Sequence, residues 1–217
     1  MDDKKWEKWA VLGGVGFVIL NVVGVILQGT PPKKDDSNAK VLEWFTDQAS
    51  GIRTSALLGA LSLFVLLLWF GSLWRRMAKA EGNNHRLSVV SLVGFLGSGA
   101  MFAASTAILT TVAIRVDGVG EDQARFFYTM SMVVLSLAGP FIAAHLAATN
   151  LLALRTGFLP KWNAMLGLLP ALAFLVGSVG AMSDDDAVMY FGLIGFVTWM
   201  IWILATSVHL WKTADTY

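Results

Sequence analysis

Cysteine is missing from this chain, and charged residues are scarce. The 217 residues include no cysteine, which excludes disulfides, thiolate metal sites and cysteine nucleophiles. Charged residues make up 14% of the chain, whereas a soluble domain averages about 25%. The net charge is only +1, so the chain as a whole has no attraction to nucleic acid. Neither the surface of a soluble domain nor a nucleic-acid partner is expected.

Six long apolar runs dominate what is present, and hydrophobic residues make up 56% of the chain. The runs cover about 10–28, 54–74, 88–114, 126–154, 163–182 and 187–210. Each run has about 18 residues or more, which is enough to cross a hydrocarbon core of roughly 30 Å as an α-helix. Lipid offers no partner for backbone amides, so a helical bundle is required. The sequence predicts an all-α fold, with residues 1–217 forming a single domain of six transmembrane helices.

Lysine and arginine are distributed unequally between the loops that six spans would create. Basic residues favour the cytoplasmic side of a membrane. With the amino terminus inside, the inner set is Lys4, Lys5, Lys8, Arg75, Arg76, Lys79, Arg86, Arg155, Lys161 and Lys212, and the outer set is Lys33, Lys34, Lys40, Arg53, Arg115 and Arg125. The inner set is the larger, which predicts that both termini are cytoplasmic.

A short polar stretch separates the first two spans. Ser37 or Asp36 can cap a helix there that ends near Ser50. Trp44 and Phe45 fall on one face of this helix. We predict a short amphipathic helix that lies in the outer membrane interface, with a lid over a binding site as the alternative.

Ionisable side chains are rare inside the spans. No Asp, Glu or Lys lies in the central part of any span, although proton-coupled carriers and voltage sensors normally place charge there. Arg53 and Arg115 lie at outer helix ends, where their side chains can reach the headgroups. Nearby acids could pair with them there, namely Glu43, Asp47 and Glu121. We therefore predict outer-face ion pairs at both arginines.

His145 is the candidate cofactor ligand. Alanines at positions 143, 144, 147 and 148 surround it with the small-xxx-small spacing that allows close helix contact. One interpretation is a hydrogen bond across such a contact, and the other is a ligand or proton relay. Ser98 lies at a similar depth on the neighbouring span, so a serine–histidine dyad is a further option. Bis-histidine haem fits poorly because His209 lies about 10 Å shallower along its helix, and no cofactor is expected.

Uncharged polar residues also occur within the spans. The set that could form a polar path or helix contacts is Asn21, Ser98, Ser105, Thr149 and Asn150. Such side chains can line a substrate path, or they can join helices for about 0.6 kcal/mol apiece.

The first half of the chain carries a group of recognisable segments. These are the loop from Pro31-Pro32 to Ser37, the pair Trp44-Phe45, and Trp74-Arg75-Arg76 followed by Ala80-Glu81-Gly82. Together they resemble a family of uncharacterised bacterial membrane proteins that is common in actinobacteria. The resemblance implies a six-helix protein of the bacterial cytoplasmic membrane. It implies no activity and therefore no catalytic residues.

Three functions are compatible with these features. The first is a structural or accessory subunit of a membrane assembly, in which glycine- and alanine-rich helix faces bind copies of the chain or another subunit, with membrane lipids around them. The second is a channel or carrier for a neutral or lipophilic small molecule, which requires the polar residues to converge on one cavity. The third is a membrane enzyme or cofactor protein built around His145. The short loops leave no room for a soluble catalytic domain.

Overall fold

The computed structural model describes residues 3–179 and 186–214, and this part of the chain contains seven α-helices and no strands. The helices are α1 (Asp3–Gln28), α2 (Asn38–Asp47), α3 (Ala49–Glu81), α4 (Arg86–Ile114), α5 (Glu121–Thr156), α6 (Lys161–Gly177) and α7 (Asp186–Lys212). The predicted all-α fold is confirmed.

Five of these helices are long and apolar enough to cross a membrane, namely α1, α3, α4, α5 and α7. They indicate a multi-pass membrane protein. Helix α6 is apolar but has only 17 residues, or about 26 Å of helix. It ends at Gly177, before the predicted end of the fifth span at Met182, and residue 182 lies outside the described residues.

The helices extend beyond the apolar runs that predicted them. Helix α3 covers Ala49–Glu81, whereas the predicted span was 54–74. Hydropathy reports only the part of a helix that suits lipid, while the backbone hydrogen bonds continue until a stop signal. Gly82 supplies that signal for α3 with φ of 68°, and Gly157 does so for α5 with φ of 75°. Gly157 has the left-handed conformation that commonly ends a helix, and Gly82 has a positive φ that glycine adopts readily.

The six longer helices alternate in direction through the bundle. We call the closed end the one at which α1, α4 and α6 begin and α3, α5 and α7 end. The opposite end is the open end, and α2 lies there. Helices α4 and α5, α1 and α3, α5 and α6, and α6 and α7 form the main packed pairs.

Glycines bring the backbones of neighbouring helices into contact. A β-carbon at Gly94 of α4 would lie 2.5 Å from the Phe141 carbonyl oxygen of α5. A β-carbon at Gly139 of α5 would lie 2.7 Å from the Phe174 carbonyl oxygen of α6. No side chain fits at these distances, so glycine is required. The small residues at these positions pack helices within the chain.

Helix α2 packs its apolar face against the bundle. The Ser37 hydroxyl caps it by accepting a hydrogen bond from the Lys40 backbone amide at 3.3 Å. Val41, Trp44 and Phe45 are buried in a cluster with residues of α3, α4 and α5. The Trp44 ring meets Tyr128 of α5 edge to face, at 5.8 Å between centroids. This packing stabilises α2 at the open end.

Candidate functional site

The closed half of the bundle contains a hydrogen-bonded cluster around His145. The His145 ring is fully buried, and its Nδ1 lies 2.9 Å from the Ser91 hydroxyl of α4. The Ser91 hydroxyl also lies 2.9 Å from that of Thr149. Thr149 in turn donates to the His145 carbonyl oxygen at 2.8 Å. These bonds join α4 to α5 where Gly94 lets the two backbones meet.

Aromatic rings enclose the remainder of the His145 side chain. Phe95, Phe70 and Trp202 lie at ring-centroid distances of 5.3, 5.4 and 6.2 Å, each edge to face. Nε2 of His145 is buried and has no hydrogen-bond partner among the described residues. The surroundings favour a packing role for His145.

Polar bonds continue from this cluster to α7. The Trp202 indole N–H of α7 donates to the Asn150 side-chain oxygen of α5 at 3.1 Å. Two bonds of the same kind join Thr206 to Asn163 at 3.2 Å and Trp69 to Ser207 at 2.8 Å. The polar network therefore connects α3, α4, α5, α6 and α7 in the closed half.

A buried ion pair lies at the closed end of the bundle. Arg76 of α3 is 1% exposed, and its Nε lies 3.5 Å from the Glu7 carboxylate of α1. The same guanidinium donates to the Leu210 carbonyl oxygen of α7 at 2.9 Å. The sequence reasoning missed this pair because it read Arg76 only as a loop charge that sets orientation. An acid near the start of one span and a base near the end of the next was the available signal.

The open half of the bundle surrounds a cavity of about 1160 Å³. Apolar side chains of α1, α3, α4, α5, α6 and α7 form most of its wall. The lining residues of α4 run from Phe95 to Thr110, which is about 22 Å of helix. Phe17, Phe95, Ile142 and Trp199 lie at the deep end. Phe95 stacks on Phe70 at 4.0 Å and so separates the cavity from His145.

The mouth of the cavity is formed by the segment between α1 and α2 and by the start of α5. Tyr128 donates its hydroxyl proton to the Pro32 carbonyl oxygen at 2.7 Å. Arg125 donates from Nε to the Asn38 side-chain oxygen at 3.2 Å, and Asn38 donates to Asp122 at 2.8 Å. These bonds hold residues 32–38 against α5.

The charged side chains that line the cavity at its mouth are basic. Lys33, Lys34 and Arg125 line the cavity, and no acidic side chain lines it among the described residues. The nearby Asp36 carboxylate accepts from the Lys40 ammonium at 2.6 Å and from the Lys33 backbone amide at 2.7 Å. The hydrogen bond from Lys40 and then that from Lys33 lower the pKa of Asp36. Asp36 also interacts electrostatically with Lys33, although its carboxylate is not part of the cavity lining.

The candidate polar path divides between the two halves of the bundle. Asn21, Ser98 and Ser105 line the cavity. Thr149 and Asn150 belong to the polar network instead.

The dyad of Ser98 with His145 is wrong, because the Ser98 hydroxyl donates to the Phe95 carbonyl oxygen at 2.9 Å. The serine beside His145 is Ser91, about two turns nearer the start of α4.

The two arginines at the open end are exposed. Arg53 donates from Nε to the Ala49 carbonyl oxygen at 3.1 Å. Within residues 3–179 and 186–214, the structure shows ion pairs at Lys40 and at Arg75 and Arg76, and none at Arg53 or Arg115. The predicted ion pairs at Arg53 and Arg115 are not formed in this part of the chain.

The apolar helices, the buried polar network and the apolar cavity define the class of protein, which is a multi-pass α-helical membrane protein. The chain belongs to the DUF4386 family, described as a domain of unknown function, whose sequence profile matches residues 9–207. This range contains the whole of the cavity lining and the polar network around His145. No curated protein and no solved structure matches the chain. The predicted membership of a family without an assigned activity is confirmed.

Proposed function

We propose that this protein is a binding protein or carrier for a lipophilic molecule, which occupies the cavity in the open half of the bundle. The cavity itself is the observation that carries this proposal. Pockets for drug-sized ligands have volumes of about 300–1000 Å³, and the cavity has about 1160 Å³. Its length of about 22 Å along α4 suits an extended chain-like molecule.

The polar groups in the wall support a lipophilic ligand over a hydrophilic one. Asn21, Ser98 and Ser105 each donate a hydrogen bond to a backbone carbonyl oxygen, those of Phe17, Phe95 and Ser131. A hydrophilic solute would need free hydrogen-bond partners to replace its hydration. An apolar chain needs none and gains about 25 cal/mol for each Å² that leaves water.

The closed half supports a blind pocket over a channel. The rings of Phe95 and Phe70, the polar network behind them, and the pair of Glu7 with Arg76 all lie between the deep end and the closed end. Every one of these groups is buried and packed. A ligand therefore enters and leaves through the open half, whose cavity lining includes the exposed side chains of Leu96 and Leu193.

Our proposed orientation has six spans, with both termini in the cytoplasm and the open end outside. We take α6 as the sixth span, and its antiparallel contacts with α5 and α7 along its length support this. A β-carbon at Gly139 would meet α6 near Ser178, and one at Gly177 would lie 2.5 Å from the Gly192 backbone nitrogen of α7. The excess of basic residues at the closed end favours the cytoplasm there. Helix α2 then lies at the outer interface of the bacterial cytoplasmic membrane.

The alternative role as an accessory subunit draws less support from the structure. It depended on small-residue faces that would bind another subunit, whereas Gly94, Gly139 and Gly177 meet helices of the same chain. Assembly with further copies or partners stays a prediction.

Photolabelling in the cavity tests the proposed function. The probe is a long-chain alcohol with a diazirine on a middle carbon, added to the purified protein in detergent, with labelled peptides identified by mass spectrometry. We expect labelling of α4 and α5 residues that line the cavity, such as Phe95 and Ile142. Gly99→Phe should reduce this labelling, because Gly99 lines the cavity and only Leu63 lies near its β-position, at 3.9 Å.

Gly71→Phe is the matched control, since Gly71 is exposed on α3 and no atom lies within 4 Å of its β-position. It should leave cavity labelling unchanged. Labelling that is confined to the exposed surface, or that survives equally in Gly99→Phe, would contradict the proposal.

A further inference from the structure

We infer that the ligand is an anionic phospholipid, whose phosphate group is bound by Lys33 and Arg125 at the cavity mouth and whose acyl chains occupy the cavity. This inference rests on the proposed function and names the class of ligand. The first observation that carries it is the separation of charge from apolar surface along one cavity. Lys33, Lys34 and Arg125 lie at the mouth, and Phe95 and Trp199 lie at the deep end.

The second observation is that the charged side chains in the cavity lining are basic, whereas the nearby acids lie outside the lining. Asp122 accepts the Asn38 amide, and the Asp36 carboxylate is shared by Lys40 and the Lys33 backbone amide. Neither carboxylate lines the cavity. An anion that enters the cavity mouth therefore meets basic lining residues, while Asp36 and Asp122 lie outside the lining.

The third observation concerns the position of Arg125. Its Nε–H is used on Asn38, and a guanidinium carries five N–H donors in a planar fork. The remaining donors suit two oxygens of one phosphate group. Tyr128, one turn further along α5, binds Pro32 and thereby holds Lys33 on the same side of the mouth.

Comparison of two lipids with the same chains tests this inference. Dioleoyl phosphatidylglycerol and dioleoyl phosphatidylcholine are titrated against the photoreactive alcohol in the same detergent, and loss of cavity labelling is measured. We expect the anionic lipid to compete at least about tenfold better. Each basic residue near an anionic lipid contributes about 1 kcal/mol, or roughly a fivefold change in binding. Lys33→Gln should therefore weaken competition by phosphatidylglycerol about fivefold, and Lys33→Gln with Arg125→Gln about 25-fold.

The control is the pair Arg155→Gln with Lys161→Gln, which removes two exposed charges at the closed end. It should alter competition by neither lipid. The single variant Lys33→Gln tests the inference without removing a structural hydrogen bond, because the Lys33 side chain is exposed. The double variant also removes the bond between Arg125 and Asn38.

The outcomes separate the two proposals. Equal competition by both lipids, or unchanged competition in Lys33→Gln and the double variant, overturns the assignment of an anionic headgroup while cavity labelling still supports a lipophilic ligand. Absence of cavity labelling by the alcohol overturns the proposed function itself. A preference for phosphatidylglycerol that depends on Lys33 supports both.

Discussion

Glu7 of α1 and Arg76 of α3 form an ion pair inside the bundle, with 3.5 Å between a carboxylate oxygen and Nε. The guanidinium also binds the Leu210 carbonyl oxygen and the Thr213 hydroxyl near the end of α7. Three helices therefore meet through one side chain. A buried charge is tolerated only when it is paired and hydrogen-bonded, so this pair fixes how α1, α3 and α7 join at the closed end.

Arg76→Met should destabilise the protein by about 3–5 kcal/mol, because it leaves the Glu7 carboxylate buried beside a neutral side chain. The measurement is the free energy of unfolding in mixed micelles, followed by circular dichroism. Arg75→Gln is the control, since Arg75 lies 3.8 Å from the same carboxylate but is 60% exposed. That substitution should cost less than about 1 kcal/mol. Equal losses in both variants would argue against a structural role for the buried pair.

His145→Phe should lower the free energy of unfolding only slightly if the role of His145 is to pack helices together. The substitution keeps an aromatic ring among Phe70, Phe95 and Trp202 and loses the bond to Ser91. Hydrogen bonds between membrane helices are worth about 0.6 kcal/mol on average and about 1.7 at most. A double-mutant cycle with Ser91→Ala measures this coupling directly. A functional ligand role predicts a different result, in which His145→Phe keeps full stability but loses a bound group visible by native mass spectrometry.

Gly94→Ala should destabilise the packed pair of α4 and α5. The added β-carbon would lie 2.5 Å from the Phe141 carbonyl oxygen and 2.7 Å from the His145 nitrogen, and backbone atoms cannot move aside cheaply. Overpacking of this kind costs about 1–3 kcal/mol. Gly99→Ala on the same helix should be neutral or stabilising by up to about 1 kcal/mol, because alanine favours the helix and the space is open. Comparison of the two melting temperatures checks the close approach, and similar values would contradict it.

Reporter fusions test the proposed orientation and the role of α6. A reporter after Tyr217 should be cytoplasmic, and one inserted at Asp117, between α4 and α5, should be on the outer side. The two positions are separated by α5, α6 and α7, an odd number of crossings only if α6 spans the membrane. Reporters on the same side of the membrane would therefore show that α6 does not cross.

The apolar runs predicted the long helices because a bilayer imposes a minimum length and forbids charge at its centre. Helix α2 was predicted from local signals instead, namely the cap at Ser37 and the apolar residues Trp44 and Phe45. Hydropathy could not tell that α6 ends at Gly177, because apolar composition continues past the point at which the helix stops. The sequence carried no direct sign of the cavity, which entered only because a channel or carrier would require one.

The particular contacts of the site needed the tertiary structure. Ser91 and Ser98 both lie on α4, yet Ser91 meets His145 and Ser98 lines the cavity. The two serines are seven residues apart and so lie on nearly the same face of α4, which means that the depth of α4 against α5 decides between them. The contact of Gly94 with Phe141 and His145 fixes that depth. The two asparagines differ likewise, since Asn150 belongs to the polar network and Asn21 lines the cavity.

The sequence by itself determined that this protein lies in a membrane, that it is helical and where its longest helices are. These properties follow from the composition of single segments. Only the tertiary structure decided that the closed half is tied together by buried polar bonds while the open half separates into an apolar cavity with a basic mouth. That division arises from which helix faces meet and how closely. Pairwise contacts between distant segments, such as Glu7 with Arg76 and Tyr128 with Pro32, set it.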